Sequence, residues 1–460
     1  MWLGQVGGEK HSTGLGLACG TVPRPLRTNK LRIMKIGILT QPLRANYGGL
    51  LQCWALQQTL LRLGHEAWVV RREEPDTSHR LAGWLRRQAA NAVKAATGRT
   101  GVKWVCRSEE QLIFEHVRRF ARTYVQPQTP PLHDSAALLA DYEARRYDAY
   151  VVGSDQVWRP SYIDGVTDYF LGFLPGGARA RRVAYAASFG TDEWEFGGAL
   201  AERCRSLALR FDAVSVREQG GVALCRERLG VEAHQVLDPT LLLTPADYEA
   251  LARDEAARLL ASGGLADGAE APCAEGVIPS PAAERVVADA FARPLADAGE
   301  GRRGGGRLFC YVLDRSAPAE ALCREVGARS GLTPVSVLAR AEGSVPCGTP
   351  TSDMIHPPVA AWLTSLSRAD AVLTDSFHGC VFALLFGRPF VTWGNAARGQ
   401  ARFSSLLSLF GLEDRMMGGA DAAAVARRMR EPIDWQRVSE VLHAERKRSV
   451  GFLSQALAEP

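Results

Sequence analysis

The chain has 460 residues, 46% hydrophobic and 23% charged, with a formal net charge of +5. That is more than one ordinary hydrophobic core, so two domains plus connections are expected, and the mild basic balance fits an anionic small substrate or surface without pointing to nucleic acid. No apolar run reaches the roughly 18 residues of a membrane-spanning helix, the opening "MWLGQVGGEKHSTGLGLACG" lacks the apolar core of a targeting signal, and ten scattered cysteines with no Cys-x-x-Cys pair read as reduced, mostly buried thiols of a cytoplasmic protein, with no metal expected.

Residues 1–33 show no period and read as an irregular N-terminal extension, with Met34 a candidate start codon. "MKIGILTQ" then reads as a buried first strand. Asn46-Tyr47-Gly48-Gly49 reads as a turn, and apolar residues from Leu50 to Leu63 recur at mostly helical spacing until Gly64 stops the helix. "EAWVV" supplies the next strand, completing a βαβ unit. The segment 80–104 is basic and amphipathic; it reads either as a solvated helix face or as a surface for an anionic acceptor or lipid head groups.

Strand signals return at 147–158, 182–190, 211–218 and 234–243, with helix-like segments between several of them. This alternation predicts an α/β fold with parallel sheets, and ligands collect at the carboxyl ends of such strands. Residues 34–250 are assigned to the first domain. The Ala-, Gly- and Pro-rich stretch from about 251 to 306 is read as a flexible linker or insertion. A second α/β series occupies 307–430: strands at 307–314, 333–339, 370–375 and 389–394, helices at 318–330, 358–369 and 377–387. A final helix follows at 431–460, with a possible break at Gly451.

The stretch "LTDSFHGCVFALLFGRPFV" puts polar residues at the mouth of an apolar helix. Asp375 or Ser376 can cap that helix, and its N-terminus favours an anion. His378 falls in the first turn, able to donate a proton or a hydrogen bond, although a capped helix with a packed histidine is the plainer reading. Arg217 ends the run "VSVRE"; it reads as a surface ion pair with Glu218 or as a fork for carboxylate or phosphate. Ser154, Asp155 and Gln156 form a polar loop after a strand, either a plain turn or a ligand contact. Arg398 and Arg402 precede a helix and are candidates for the same cleft. Ser376 and His378 lie on one turn, which does not make a nucleophile–base pair.

Taken together, "NYGGLLQCWALQQTLLRLGHEAWVV", "YDAYVVGSDQVW", "RRVAYAASFG", "VSVREQGG", "VLDPTLLL", "LTDSFHGCVFALLFGRPFV" and "RFSSLLSLFGLEDR" resemble the polysaccharide pyruvyl transferase family. The resemblance implies two Rossmann-like domains facing across a cleft, as in GT-B glycosyltransferases. It implies transfer of a pyruvyl group from phosphoenolpyruvate to two hydroxyls of a sugar, giving a cyclic ketal and phosphate. No cofactor is needed beyond the donor substrate. By similarity Arg217 and His378 serve the donor site. Asp375 is expected to orient His378 as a third catalytic residue. Arg402, Ser376, Gly379, Asn46, Tyr47, Gly48, Ser154, Asp155, Gln156 and Ser188 are expected to contact substrates. The partner is a sugar acceptor, free or lipid-linked, with peripheral membrane association open and the oligomeric state unassigned. A GT-B glycosyltransferase using a nucleotide sugar and a non-catalytic carbohydrate-binding protein are the alternatives.

Overall fold

The computed structural model describes residues 32–43, 46–74, 81–96, 103, 105–262, 287, 289, 293–294, 305–314, 316–339, 346, 348–393, 399–418 and 421–458. The first strand, β1 (Lys35–Leu39), carries the near-continuous apolar run of a strand covered on both faces. It pairs in parallel with β2 (Glu66–Val69) on one side and β3 (Ala149–Val152) on the other. The sheet continues through β4 (Arg181–Ala187), β5 (Ala213–Val216) and β6 (His234–Gln235), in the order β2-β1-β3-β4-β5-β6. The order reverses between β1 and β3. In a doubly wound sheet that reversal opens a crevice at the strands' carboxyl ends.

A second sheet of five strands has the order β11-β10-β8-β9-β7. Here β8 (Arg307–Tyr311), β9 (Thr333–Ser336), β10 (Ala371–Thr374) and β11 (Phe390–Thr392) run parallel. The short β7 (Arg293–Pro294) is antiparallel to β9. The fold is therefore α/β, with two parallel-stranded Rossmann-like lobes. β7 lies within the stretch read from composition as flexible linker. Most of that stretch, and the N-terminal extension through residue 31, lie outside the described residues.

Three other local readings change. The helix Tyr47–Arg62 takes in Tyr47, Gly48 and Gly49, leaving Asn46 as its extended N-cap rather than starting a four-residue turn. The run expected as a strand at 234–243 is a strand only at β6. Asp238 then accepts from Thr240 N and opens a 3-10 turn at Pro239–Leu241, where proline has no N–H to give a sheet. The final helix runs unbroken from Trp435 to Leu457 through Gly451.

The lobes are joined by one continuous apolar core, drawn from both sheets' neighbours and from the final helix. Ser449 Oγ of that helix accepts from Leu237 N at 3.0 Å, and Ala456 O accepts from Arg181 Nε at 2.9 Å. A buried carboxyl also crosses the junction. Glu255, on the helix Pro245–Ala261, accepts from Ala360 N at 2.5 Å, at the start of the helix Val359–Ser367. The segment 80–104 contributes a helix, Leu81–Ala96, with Leu85 and Val93 exposed. Among the described residues no helix is long and apolar enough to cross a membrane.

Candidate active site

Residues from the carboxyl ends of β3, β5 and β10 meet in one buried cluster. Arg217 follows β5 directly and is 4% exposed. Its two terminal nitrogens donate to Asp238 Oδ2 at 2.7 Å and Asp155 Oδ1 at 3.2 Å. Asp155 adopts a left-handed φ of 79°, held by the bonds from Ser188 N and Val157 N to its carbonyl, at 3.0 and 2.7 Å. Such a backbone costs a non-glycine residue about 1–3 kcal/mol and persists where surrounding bonds fix it. The reward here is a carboxylate aimed at the guanidinium.

His378 enters from the other lobe. Ser376 is the N-cap of the helix Phe377–Leu385, accepting from Gly379 N at 3.4 Å, so the imidazole is fixed in the first turn. Its Nε2 lies 3.6 Å from Asp238 Oδ2, an ion-pair separation rather than a hydrogen bond. Gly48, in the first turn of the helix Tyr47–Arg62, packs directly on the ring; a Cβ there would fall 2.1 Å from Nδ1. The preceding residue, Phe377, offers its ring to two cations. The guanidinium carbons of Arg217 and Arg402 lie 4.6 and 5.5 Å from the ring centroid. Arg402, in the first turn of the helix Ala401–Phe410, is buried.

Burial of so many charges decides their protonation. Burial alone would raise the Asp238 carboxyl, but His378, Arg217 and Thr240 together hold it well below the usual range. Asp155 is likewise lowered overall: burial opposes ionisation, and Arg217, His378 and Arg402 outweigh it. Glu218 goes the other way, raised by burial despite Arg217 and Arg402. Arg402 is pushed down to about 10, by burial first and then by the neighbouring Arg217 charge. Arg217 Nε, His378 Nε2 and Glu218 Oε2 are buried and carry no hydrogen-bond partner. Buried polar atoms without a partner are costly, and one guanidinium and one imidazole nitrogen here are left available to a polar ligand.

A model of the family described as "Polysaccharide pyruvyl transferase" matches residues 46–294 and 352–395, more than half of the chain. The chain belongs to that family. The matched segments contain Arg217, Asp238 and His378, while Arg402 lies beyond them. No curated protein matches the chain. Solved structures with similar coordinates include UGT89C1 of Arabidopsis thaliana complexed with UDP-L-rhamnose, at 10% identity and a TM-score of 0.47, covering 92% of this chain and 99% of that one. A glycosyltransferase from Rickettsia africae ESF-5 shows 7% identity and a TM-score of 0.45, covering 92% and 95%. A glycotransferase of kitacinnamycin shows 17% identity and a TM-score of 0.37, covering 93% and 100%.

In this member of the family the residues expected at the site separate into those that touch the cluster and those that build its walls. Arg217, Arg402, His378, Asp155 and Gly48 meet there, and Ser154 joins them by donating to Asp238 Oδ2 at 3.4 Å and to Ala186 O at 3.1 Å. Gln156 and Ser188 are wall residues. Gln156 Oε1 accepts from Arg159 at 3.1 Å, and Ser188 Oγ accepts from Gly190 N at 3.0 Å. Gly379 lets the helix seat against β10, because a Cβ there would lie 2.3 Å from Thr374 Oγ1. Tyr47 spans the lobes, donating to Pro357 O at 2.8 Å and stacking on Trp362 at 5.8 Å. Asn46 is exposed, at the edge of a neighbouring cavity. Arg398 lies outside the described residues.

Asp375, expected to orient His378, holds backbone amides of the second lobe. Its carboxylate accepts from Leu313 N at 2.6 Å and Asp314 N at 2.9 Å, pinning the loop after β8. The carboxylate beside His378 is Asp238, which the sequence reading took for part of a strand. The Asp-Pro pair after β6 is the signal that would have found it, since that pair ends a strand and frees an aspartate to cap and to reach. Phe377 was read only as a helix residue, and Glu218 only as the surface partner of Arg217. Among the described residues no cluster of histidine, cysteine and carboxylate side chains is arranged for a metal.

Proposed function

We propose that this pyruvyl transferase moves the pyruvyl group of phosphoenolpyruvate onto two hydroxyls of a sugar in a polysaccharide or glycoconjugate, forming a cyclic ketal and releasing phosphate. The observation that carries the reading is the meeting of two guanidiniums and the His378 helix start around Phe377, with Arg217 Nε and His378 Nε2 making no hydrogen bond. Phosphoenolpyruvate brings a carboxylate and a phosphate, and both suit guanidinium forks and a helix N-terminus.

The roles divide by what each group already holds. Asp155 and Asp238 largely neutralise Arg217, whose Nε is without a hydrogen-bond partner. Arg402 and the helix start at His378 supply the remaining positive field for the donor. In the first half-reaction a proton adds to the methylene carbon and makes C2 electrophilic. A sugar oxygen bonds to C2 and gives up its proton, which replaces the one delivered to carbon. In the second, the C2–O bond to phosphate breaks, the second hydroxyl oxygen closes the ring, and its proton leaves with phosphate. His378 serves as the acid, toward the methylene carbon or the departing phosphate, with Asp238 stabilising the imidazolium. Holding one electrophile and two hydroxyls in register is work for positioning groups.

The test is incubation of the full chain with phosphoenolpyruvate and a panel of glycosides, read by mass spectrometry for the ketal and by colorimetry for phosphate. Ketal formation supports the reading. Thermal stabilisation by a nucleoside diphosphate with none by phosphoenolpyruvate, and no ketal, would overturn it in favour of nucleotide-sugar transfer.

A further inference from the structure

Beside the buried cluster the first lobe opens into a cavity of about 220 Å³, lined by Gln41, Asn46, Arg72, Glu74, Tyr162 and Asp164 among others. Its wall is tied to the cluster at three points. Gln41 Nε2 donates to Gln156 O at 3.1 Å, one residue past Asp155. Asn46 and Gly49 flank Gly48, the residue pressed against the His378 ring. The Tyr162 ring forms a third link. Arg159 covers it at 4.2 Å and also bonds Gln156.

The lining has the wrong sign for the donor. Two carboxylates, Glu74 and Asp164, face one guanidinium, and that one, Arg72, already holds Asp168 at 2.8 Å. A doubly anionic ligand would be repelled here, whereas a neutral polyhydroxyl would not. Carboxylates accept from neighbouring hydroxyls, primary amides both accept and donate, and a half-exposed tyrosine with Arg159 over its ring offers apolar ring surface and a polar tip. The volume suits about one sugar ring, below the range of larger ligand pockets.

We infer that this cavity is the acceptor subsite: it holds one neutral hexopyranose-type ring, with Tyr162 as the platform and Asp164, Glu74, Asn46 and Gln41 as the hydroxyl partners. The inference rests on the pyruvyl-transfer reading for what happens to the bound sugar, and on the cavity alone for the binding. The two adjacent sites then have opposite character, a cationic one for the donor and an anionic-walled one for the acceptor.

The experiment uses the full chain and methyl glycopyranosides of glucose, galactose, mannose and N-acetylmannosamine. Saturation-transfer NMR is recorded on the native protein and on Tyr162→Ala, Asp164→Asn and His378→Ala. Transfer to at least one glycoside is expected with the native protein and with His378→Ala, falling at least about fivefold in Tyr162→Ala and Asp164→Asn. Where ketal product forms, the two cavity variants should raise the glycoside KM about tenfold while the phosphoenolpyruvate KM stays within about twofold. Binding that follows this pattern without ketal formation retains the subsite and removes the reaction. No transfer to any of the four glycosides, or binding indifferent to Tyr162→Ala and Asp164→Asn, overturns the subsite.

Discussion

Gly48 and His378 belong to different lobes, yet a Cβ on Gly48 would sit 2.1 Å from Nδ1 and 2.2 Å from Cγ of the imidazole. The first turn of one helix is thus the bed on which the candidate acid of the other rests. Gly48→Ala must push the ring, the helix or both. Because misplacement by about 1 Å can cost on the order of 100-fold in rate, Gly48→Ala is expected to lower kcat for phosphate release by about that factor. Circular dichroism should show the native fold retained. Near-native kcat would mean that the ring position is not critical.

Asp238 anchors Arg217, caps the turn at Pro239 and sits beside His378. Asp238→Asn leaves a buried guanidinium with one carboxylate partner instead of two. Removing one side of a buried ion pair costs about 3–5 kcal/mol, and a loss near that size is expected in urea unfolding. Asp155 and Asp238 both have folded-state values below those of an unfolded aspartate, so their contribution is fully present above the ordinary aspartate range and is lost as pH falls from that range through the lower folded-state values. The native protein should therefore lose stability on acidification more steeply than Asp238→Asn.

Glu255 reverses that sign. Burial raises its carboxyl from 4.5 to about 8, against the opposing bonds from the Ala360 and Val359 amides. Between those two values the folded chain keeps a proton that the unfolded chain has released. Unfolding free energy from this group therefore falls as pH rises across the interval, and the loss is complete above about pH 8. Glu255→Gln keeps an acceptor for the amide and removes the titration. Differential scanning calorimetry should show a flatter Tm against pH for the variant, with the variant more stable than the native protein at the alkaline end. Parallel curves would remove Glu255 as the source.

In the proposed reaction Arg402 binds the donor and takes no part in the chemistry. Arg402→Lys keeps the charge and loses the planar fork, while Arg402→Ala loses both. A charge-assisted hydrogen bond is worth about 1.5–3 kcal/mol, so the alanine variant should raise the phosphoenolpyruvate KM roughly 10- to 100-fold, with the lysine variant between it and the native protein. Equal KM values for all three would show that Arg402 only packs on Phe377.

Much of the fold was legible because α/β proteins alternate two periods. Strands at the carboxyl ends of both series, the helix after Ser376 and the cap itself follow from apolar spacing and a single hydroxyl. The site was legible where a charged residue ends an apolar run, as at Arg217 and His378. It was not legible where a residue's meaning depends on a distant neighbour. Asp238 lies 21 positions from Arg217 and its role appears only when β5 and β6 lie side by side. Gly48 looked like part of a turn because no local pattern shows that a ring from residue 378 needs its missing side chain. Asp375 shares a turn with His378 in sequence, but backbone amides 61 and 62 positions away claim its carboxylate. β7 was missed because two residues paired to an edge strand leave no periodic trace.

The last helix starts among second-lobe residues and finishes in the apolar core beneath β4, with Leu453, Ala456 and Leu457 buried. The amino-terminal lobe is consequently discontinuous in the gene. A fragment cut after the sixth strand would leave a bare greasy strip, and a chimera that exchanges the carboxyl half between relatives would also exchange part of the other half's interior. Any dissection of this molecule into separately expressed pieces has to graft residues 435–457 back onto the lobe they complete.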